Sequence, residues 1–386
     1  MANTLNVGNG DWATKENSLL GYNSENGNYK PLAFDFTRAS NGTFVNKSGL
    51  IETAASGVPR IDFSNDAKGA LLLEPQSTNL VTYSSDFSQW SALNNVVVTD
   101  NFITSPDGTQ NAAKLVFDGT ASGRIELNTG ASGTNTQSVY LKTESGTQNV
   151  SIGAGSADLT QFTITDQWVR YAHTGGGNFP RILCNDAATI YVYGAQLEAG
   201  SYSTSLIKTS GSAVTRNGDQ VYGAGDAATF NDSEGVLYAE FSALSNDGTF
   251  RILSLSNGTT SNEVKIQLSS TDNTIGFGVV AGGVPQTDQF YTIADTLSNN
   301  KIAAKYKEND FALWVNGIEV LTDSSGIIPT GLSTLNFERG TGSNPFYGNT
   351  KQIQYFNTAL TDSELEKLTS WASFIEMAQA QNYNII

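Results

Sequence analysis

The feature that most constrains the fold is a run in the C-terminal part of the chain that alternates apolar and polar residues and then turns. FALWVNGIEV begins at Phe311, and its period of two is typical of a strand with one buried face. The dipeptide Asn316-Gly317 within it favours a two-residue hairpin turn. The run therefore predicts a half-buried strand that enters a tight hairpin.

A second strand and a helix follow. KQIQYFNTAL places Ile353 and Tyr355 on one side of a strand. Thr361 and Glu364 then have the spacing of a capping box, in which each residue satisfies a backbone or side-chain group of the other. We expect a helix from Ser363 to about Gln379 that either docks on its own sandwich or joins neighbouring chains.

Composition limits the class of protein. The 386 residues suffice for two or three domains, and 38 glycines with only 8 prolines fit many short strands joined by turns. The net charge of -16, with no Lys/Arg cluster, argues against nucleic acid and against an anionic membrane surface as partners. The single cysteine, Cys184, allows no intrachain disulfide, so the fold must depend on burial alone.

No segment of the sequence resembles a signal peptide or a membrane span. The N-terminal residues MANTLNVGNGDW contain no apolar stretch, and about 18 apolar residues never run together. We therefore expect synthesis in a host cytoplasm without an export signal, and no membrane insertion.

The order of strand-like runs predicts an all-β protein with two antiparallel jelly-roll β-sandwiches in tandem, preceded by an extended N-terminal segment and ending in a short α-helix. The expected division is an N-terminal arm and module at 1–80, a sandwich at 81–210, a linker at 211–231 and a second sandwich at 232–386. The first 30 residues are polar and weakly periodic, which indicates an arm that orders against a partner or a floppy tail.

Charged residues in the N-terminal module favour structural pairing over catalysis. Arg38 and Arg60 lie beside strand-like residues, and the same run contains Asp35, Asp62 and Glu74. Pairing of arginine with carboxylate across strands is therefore available. Nothing in the run defines a pocket for an acid or a base, so clamping is the preferred interpretation.

Several ordered motifs resemble known families. FTRAS, PRIDF, GALLLEPQSTNL and YGAQLEAGSYSTSLIKTSGSAVTR together resemble a module of bacteriophage virion proteins, chiefly tail-fibre, head-fibre and receptor-binding proteins. NLVTYSSDFSQW resembles the opening of galactose-binding-like carbohydrate-binding modules. VNG and YFNTALTDSELEKL resemble the C-terminal half of concanavalin A-like (laminin G-like) lectin domains. These resemblances imply a virion surface location, other virion proteins as partners and a cell-surface glycan or polysaccharide as ligand.

The resemblance to carbohydrate-binding modules also implies candidate site residues. Many such modules hold a structural calcium ion through carboxylates of the first and last strands, which here implies Asp86 and Glu198. The last strand, YVYGAQLEA, lacks the adjacent aspartates of calcium-binding relatives. Tyr191 and Tyr193 lie on the same side of that strand, where they form either a stacking platform for a sugar or part of the sandwich core.

In the second sandwich, alternation places Trp314 opposite the apolar face of its strand, toward solvent, a subunit or a ligand. The loop ERGTGSNPFYGN combines flat apolar faces with hydrogen-bonding groups, which suits a hydroxyl-rich ligand or an oligomer contact. Its candidate residues are Arg339, Asn344, Phe346 and Tyr347.

Catalytic patterns are incomplete. Laminarinase-type hydrolases, which share the lectin fold, carry Glu-x-Asp-x-x-Glu on one strand, and Glu308-Asn309-Asp310 has no closing glutamate. His173 is the single histidine, so a three-histidine zinc site is excluded, and a pair with Cys184 is less favoured than a buried thiol and an incidental turn histidine.

The predicted function is non-enzymatic attachment of a virion to glycans through repeated weak contacts. Trp371, Phe374 and Met377 on the final helix suggest a homo-oligomer, preferably a trimer. Two alternatives stay open, a purely structural fibre or capsid-decorating protein and, less favoured, a polysaccharide depolymerase.

Overall fold

A computed structural model describes residues 4–155, 157–340 and 342–386. Strands dominate it, which confirms the predicted all-β class. The first strands are β1 (Leu5–Gly8), β2 (Thr14–Lys15), β3 (Ser18–Asn23), β4 (Lys30–Thr37), β5 (Gly42–Val45), β6 (Ile51–Ala54), β7 (Ile61–Asp62), β8 (Ala70–Leu73), β9 (Ser77–Asn79) and β10 (Ser91–Leu93). Next come β11 (Val97–Thr104), β12 (Gln110–Asp118), β13 (Gly123–Glu126), β14 (Thr134–Thr143), β15 (Thr147–Gly153), β16 (Thr160–Thr165), β17 (Val169–Gly176), β18 (Arg181–Cys184), β19 (Ala187–Ala199), β20 (Val214–Arg216) and β21 (Gln220–Tyr222).

The C-terminal part contains further strands and two helices. The strands are β22 (Glu234–Ala243), β23 (Arg251–Ser256), β24 (Glu263–Leu268), β25 (Thr274–Ala281), β26 (Val284–Thr292), β27 (Asn300–Lys307), β28 (Phe311–Val315), β29 (Ile318–Asp323), β30 (Thr334–Asn336) and β31 (Gly348–Phe356). The helices are α1 (Asp362–Thr369) and α2 (Phe374–Ala380), with short 3-10 turns at Glu25–Gly27 and Phe87–Gln89. No helix among the described residues has the length and apolarity that a bilayer crossing requires.

The chain forms two units, and the second is an insertion in the sequence of the first. Unit 1 comprises Met1–Arg38, Ser56–Pro75 and Asp219–Ile386, and unit 2 comprises Ala39–Ala55 and Gln76–Gly218. The predicted boundaries at 80, 210 and 231 differ from this division because the N-terminal residues and much of the expected linker pair with strands far away in the sequence.

Unit 1 is a sandwich of a large sheet and a smaller one. The large sheet has the order β21-β4-β3-β1-β31-β22-β27-β28-β29, with β2, β7 and β8 attached to it, and the smaller one has the order β26-β25-β24-β23-β30. Alternate residues of the facing strands, such as Leu237 and Phe241 from β22 and Ile266 from β24, fill one core. The predicted alternation around the hairpin is confirmed, since Phe311, Leu313 and Val315 belong to this core, and Asn316 and Gly317 both have positive φ, as the tight turn requires.

The N-terminal residues are integral to unit 1, which corrects the expectation of an arm or a floppy tail for the described part of that segment. In β1, Leu5 and Val7 pair with Tyr355 and Ile353 of β31, and both leucine and valine are buried in the core. Main-chain pairing and burial within the same chain therefore order this segment.

Unit 2 is a second sandwich, with sheets ordered β10-β13-β18-β15-β16 and β11-β12-β19-β14-β17. Its core contains Ile190 and Val192 of β19, which face Ile182 and Val150 of the other sheet. The hairpin β5-β6 and the pair β20-β9 complete it. Residues 214–216 and 220–222 therefore form strands where a linker was expected.

A buried ion-pair cluster lies where unit 1 connects to the inserted segments. Arg60 pairs with Glu74 at 2.6 Å and with Asp219 at 2.5 Å, and the other oxygen of Asp219 lies 3.0 Å from Arg38. All four side chains are almost fully buried, and their formal charges cancel. The pairing of Arg60 with Glu74 confirms the predicted clamp, whereas Asp219 replaces Asp35 and Asp62 as the other carboxylate.

The position of this ion-pair cluster gives it a structural role. The chain leaves or enters unit 1 after Arg38, Ala55, Pro75 and Gly218. Arg38 and Asp219 are themselves terminal residues of unit 1 segments, and the backbone N–H of Asp219 donates to the carbonyl of Glu74 at 3.0 Å. The cluster thus holds together the ends of the unit 1 segments between which unit 2 is inserted.

The C-terminal region contains two helices where one was expected. Glu364 accepts hydrogen bonds from the backbone N–H of Thr361 at 2.9 Å and from its hydroxyl at 2.8 Å, so this residue pair caps α1 as the spacing predicted. Leu365 is completely buried and packs α1 against unit 1. Ser370 is extended and ends α1, and Ser373 begins α2 by accepting from the N–H of Glu376.

Candidate functional site

The strongest candidate site lies in unit 2, on the outer side of the sheet that contains β12, β19 and β14. Ile190 and Val192 point into the core, so Tyr191 and Tyr193 point to the opposite side of β19. In the register of the sheet, Tyr191 lies between Lys114 of β12 and Lys142 of β14. Lys114, Tyr191 and Lys142 therefore form a row across the middle of this surface.

A β-bulge adds an exposed ring. The pairing of β11 with β12 is irregular between Thr99 and Ile103, and Asn101 within that interval has a φ of 53°. The bulge stacks Phe102 on Tyr191, with the ring planes 14° apart and the centroids 6.1 Å apart. Phe102 is 44% exposed whereas Tyr191 is only 5% exposed, so Phe102 presents the accessible aromatic surface.

Both lysines are held against aromatic rings. The ammonium group of Lys114 lies 4.5 Å from the centroid of Phe102, and that of Lys142 lies 5.8 Å from the rings of both Trp168 and Tyr191. Trp168 is half-buried: it packs against the buried cluster that contains Tyr193 and Leu206, and its indole N–H donates to the carbonyl of Thr104 at 3.2 Å. We call Phe102, Lys114, Lys142, Trp168 and Tyr191 the aromatic face.

The structure separates the two predicted platform tyrosines. Tyr193 is 1% exposed, packs against Ile51 and Leu206, and donates its hydroxyl to Asp107 at 2.7 Å. Burial, with a contribution from Asp107, raises the pKa of Tyr193 far above its ordinary value. Tyr193 therefore presents no face to a ligand, and Tyr191 alone remains next to the exposed Phe102.

Asp107 holds the loop before β12 in place. Partial burial opposes ionisation of this carboxyl, but hydrogen bonds from Thr109, Lys208 and the hydroxyl of Tyr193 outweigh it and hold its pKa well below the ordinary value. Lys208 lies 2.9 Å from Asp107, and Tyr193 connects the same carboxylate to β19. The bulged strand and its loop are thereby fixed to the sheet beneath the aromatic face.

The predicted ligand loop of unit 1 has structural contacts instead. Phe346 is 2% exposed, and its ring packs edge-on against Phe241 at 4.9 Å, so it is a core residue. Arg339 donates from Nε and Nη2 to one oxygen of the buried Glu263, at 3.0 and 2.7 Å. Tyr347 is half-buried against the same core. These contacts tie the loop to the sandwich.

Asn344 is the exposed member of that predicted set. It lies in a turn with a φ of 50°, and its carbonyl accepts from the N–H of Ile252 at 3.0 Å. Its turn geometry explains an asparagine at this position without a ligand. Thr341 of the same loop lies outside the described residues.

Trp314 faces a contact that the sequence did not indicate. It is 7% exposed and packs in a cluster with Leu360 and Leu365, the latter from α1. Its indole N–H has no acceptor among the residues that the structure describes. The sequence predicted that this side of β28 faces solvent, a subunit or a ligand. In the structure, α1 of the same chain covers it.

The two carboxylates implied for calcium have other partners. Glu198 is 1% exposed, and its two oxygens accept from Ser77, Gln196 and Thr204 at 2.5 to 2.9 Å. Asp86 is exposed and accepts from the hydroxyl of Ser88 at 2.6 Å. Within 4–155, 157–340 and 342–386, no three His, Cys, Asp or Glu residues cluster in a way that suits a metal ion.

The side chains weighed for catalysis lie in separate environments. Cys184 is buried in the unit 2 core, and burial raises the pKa of its thiol. The ring nitrogens of His173 lie 2.8 Å from Thr160 and 3.1 Å from Asp158. Asp310 lies in a turn and pairs with Lys305 at 2.6 Å. Thr160 and Asp158 thus occupy the two ring nitrogens of His173, whereas the thiol of Cys184 contacts Gln148 and the carbonyl of Asp186, so the pair of His173 with Cys184 does not form.

Sequence reasoning missed most of the aromatic face. Tyr191 was predicted, but Phe102, Lys114 and Lys142 were not. The available signal was the asparagine in VVVTDNFIT, which interrupts the apolar alternation where the bulge occurs. The lysines alternate with core residues, which shows that they point outward but not that they meet aromatic rings.

Comparison with known proteins gives partial structural similarities. No protein-family model and no curated protein matches the chain. The CBM40 module of the Ruminococcus gnavus IT-sialidase, whose structure is also known bound to α2,3 sialyllactose, shows a TM-score of 0.33 and 20% identity over 39% of this chain and 94% of that one. NanB sialidase of Streptococcus pneumoniae shows a TM-score of 0.31 and 15% identity over 37% of this chain and 25% of that one.

A third similar structure is domain 4 of AbnA, a GH43 extracellular arabinanase from Geobacillus stearothermophilus, solved with arabinotriose. It shows a TM-score of 0.32 and 12% identity over 40% of this chain and 73% of that one. The solved structures similar to this chain thus include carbohydrate-binding modules and a sialidase. At these scores, the ligand of this chain has to be argued from its own side chains.

Proposed function

We propose that this chain binds glycans through the aromatic face of unit 2 and does not cleave them. The observation that carries the proposal is the Phe102 ring, which is 44% exposed and is supported from below by Tyr191. An aromatic ring fixed in this way offers a flat apolar surface to the C–H face of a pyranose ring. The lysines beside it can donate hydrogen bonds to the oxygens of the same sugar.

The charges of the face favour a sugar that bears a carboxylate. Lys114 and Lys142 make cation–π contacts, and neither ammonium group forms an ion pair with a carboxylate among the described residues. Glu144, which accepts from the hydroxyl of Tyr191 at 3.3 Å, is the nearby acid. In a chain of net charge -16, two such lysines next to an exposed ring form a localised site for an acidic saccharide.

The proposed setting is the surface of a virion, where weak contacts act together. It is supported by the sequence motifs that resemble phage tail-fibre, head-fibre and receptor-binding proteins. Repeated copies of a weak site on one particle raise the overall avidity without any tighter single contact. A purely structural fibre or decorating protein remains the alternative, and it predicts no saccharide binding at all.

Replacing Phe102 with Ala tests the site. We expect at least about a tenfold rise in the Kd for carboxylated saccharides, because removing the ring deletes the stacking surface. The measurement is a glycan array of neutral and carboxylated oligosaccharides, followed by titration calorimetry with the best binder.

The matched control is Phe290→Ala, because Phe290 is 43% exposed on β26 of unit 1 and should leave the Kd unchanged. Equal losses in both variants, or no binding to any saccharide by the unchanged chain, would contradict the proposal. Release of reducing ends from a bound polysaccharide would show that the chain is a depolymerase.

The exposed apolar residues of α2 support a homo-oligomer. Phe374 is 71% exposed, Ile375 56% and Met377 39%, whereas Ala378 on the opposite side is buried. We propose that a second copy of this chain covers these side chains, in a trimer. Light scattering should give a trimer mass for the unchanged chain and a monomer mass for the variant Phe374→Ser/Ile375→Ser. A monomer mass for the unchanged chain refutes this part of the proposal.

A further inference from the structure

Unit 1 contains a polar cavity that neither the sequence motifs nor the proposed function uses. Its volume is about 960 Å³, near the upper end of the range for small-molecule sites. Tyr238, Glu240 and Ser242 of β22 line it, and because Leu237 and Phe241 point into the core, the cavity lies on the opposite side of the large sheet. It is therefore separate from the space between the two sheets.

Both walls of the cavity are anchored. On one side, Asp66 in the loop between β7 and β8 pairs with Lys351 of β31 at 2.7 Å. On the other side, the segment after α2 is fixed by Gln381, which donates to the carbonyl of Asn299 at 2.6 Å, and by Asn382, which donates to Ser298 at 2.9 Å. The cavity is thus preformed, so that a ligand need not order its walls.

Charges on the floor are compensated by neighbours within the chain. Glu240 is 6% exposed, accepts from Asn299 at 2.6 Å and pairs with Lys351 at 3.1 Å. Burial alone would lower the pKa of Lys351, but the charges of Glu240 and Asp66 outweigh this and raise it. Burial and Glu240 also hold the pKa of Tyr238 well above its ordinary value, so its hydroxyl remains protonated.

Amide side chains are the most numerous groups of the remaining lining, which also contains Asp62, Lys68, Lys301 and Glu376. Seven lining residues are Asn or Gln, among them Asn299, Asn349, Gln352 and Asn382. An amide can donate and accept at the same time, which matches a hydroxyl group. At the floor, an isolated anion or cation would instead have to break the ion pairs of Lys351 with Asp66 and Glu240, which is costly in a partly buried site.

We propose that this cavity binds a neutral, hydroxyl-rich ligand, such as a short segment of neutral oligosaccharide. The proposal is independent of the aromatic face, which lies in the other unit and differs from the cavity in presenting an exposed aromatic ring. Lys351 and Lys301 are paired with carboxylates of the same lining, and Lys68 donates to Asn9. Binding of a neutral ligand should therefore depend little on salt, whereas binding of an acidic saccharide at the aromatic face should weaken as salt rises.

The test uses the full chain and a panel of neutral trisaccharides made of glucose, galactose, mannose or N-acetylglucosamine. Hydrogen exchange should slow at residues 238–242 and 376–382 when one of these probes binds. Two variants should bind that probe more weakly, each with a Kd about tenfold higher or more. Ser242→Tyr fills the cavity from its floor, and Asn349→Ala removes one amide. The control Gln354→Ala changes an amide of β31 outside the cavity lining and should leave the Kd unchanged.

Phe102→Ala should also leave this binding unchanged, which distinguishes a failure of the cavity from a failure of the aromatic face. The proposal is overturned if no neutral trisaccharide of the panel binds, if protection maps outside the cavity, or if Ser242→Tyr and Asn349→Ala bind as tightly as the unchanged chain. An unchanged thermal unfolding profile for Asn349→Ala would establish that its loss of binding does not come from unfolding.

Discussion

Replacing Arg60 with Met is expected to destabilise unit 1 by about 3–5 kcal/mol, the usual cost of removing one partner from a buried ion pair. Arg60 is completely buried and pairs with both Glu74 and Asp219. Methionine fills much of the same volume but removes the guanidinium group that pairs with both Glu74 and Asp219. The free energy of unfolding, followed by hydrogen exchange in residues 70–74 and 219–222, measures the loss.

An exposed ion pair of the same unit provides the control. Lys307 and Glu234 lie 2.9 Å apart, and the lysine side chain is 50% exposed, so Lys307→Met should lower the free energy of unfolding far less than Arg60→Met does. The double variant Arg60→Met/Glu74→Met keeps the pair between Arg38 and Asp219 and should recover part of the loss. A cost for Arg60→Met as small as that for Lys307→Met would refute the structural role of the buried cluster.

Replacing Trp314 with Ala should cost about 3–5 kcal/mol in stability, as is usual for a large buried aromatic side chain. The indole packs against Leu360 and Leu365, so its loss leaves a cavity between β28 and α1. Hydrogen exchange should therefore accelerate most at 362–369. Saccharide binding by unit 2 should be unaffected at temperatures where the variant stays folded, because the aromatic face contains no residue of unit 1.

Trp371→Ala is the matched control for Trp314. Trp371 is half-buried, and its ring centroid lies 4.3 Å from the ammonium group of Lys301. This arrangement stabilises the fold far less than complete burial of the ring would. A loss of about 1 kcal/mol is expected there, measured by chemical denaturation with circular dichroism. If Trp314→Ala abolished saccharide binding without lowering stability, the original interpretation of Trp314 as a ligand residue would be restored.

The local sequence pattern predicted the structure correctly wherever residues close together in the sequence make the decisive contacts. Alternation in FALWVNGIEV placed Leu313 and Val315 in the core, Asn316-Gly317 formed the hairpin turn, and Thr361 with Glu364 capped α1. Each of these features is determined within a few residues, by side-chain period or by hydrogen bonds to the nearby backbone. The all-β class follows from the same local signals.

The amino-acid sequence by itself determined the strand periodicity, the turn and the helix start, and it indicated that arginines would pair with carboxylates. Only the tertiary structure decided which groups meet. Arg38 pairs with Asp219, 181 positions away, α1 covers Trp314, and a bulge brings Phe102 onto Tyr191. The physical reason is that periodicity fixes the side of a strand on which a residue lies, whereas the element that covers that side depends on how distant segments of the chain pair and pack.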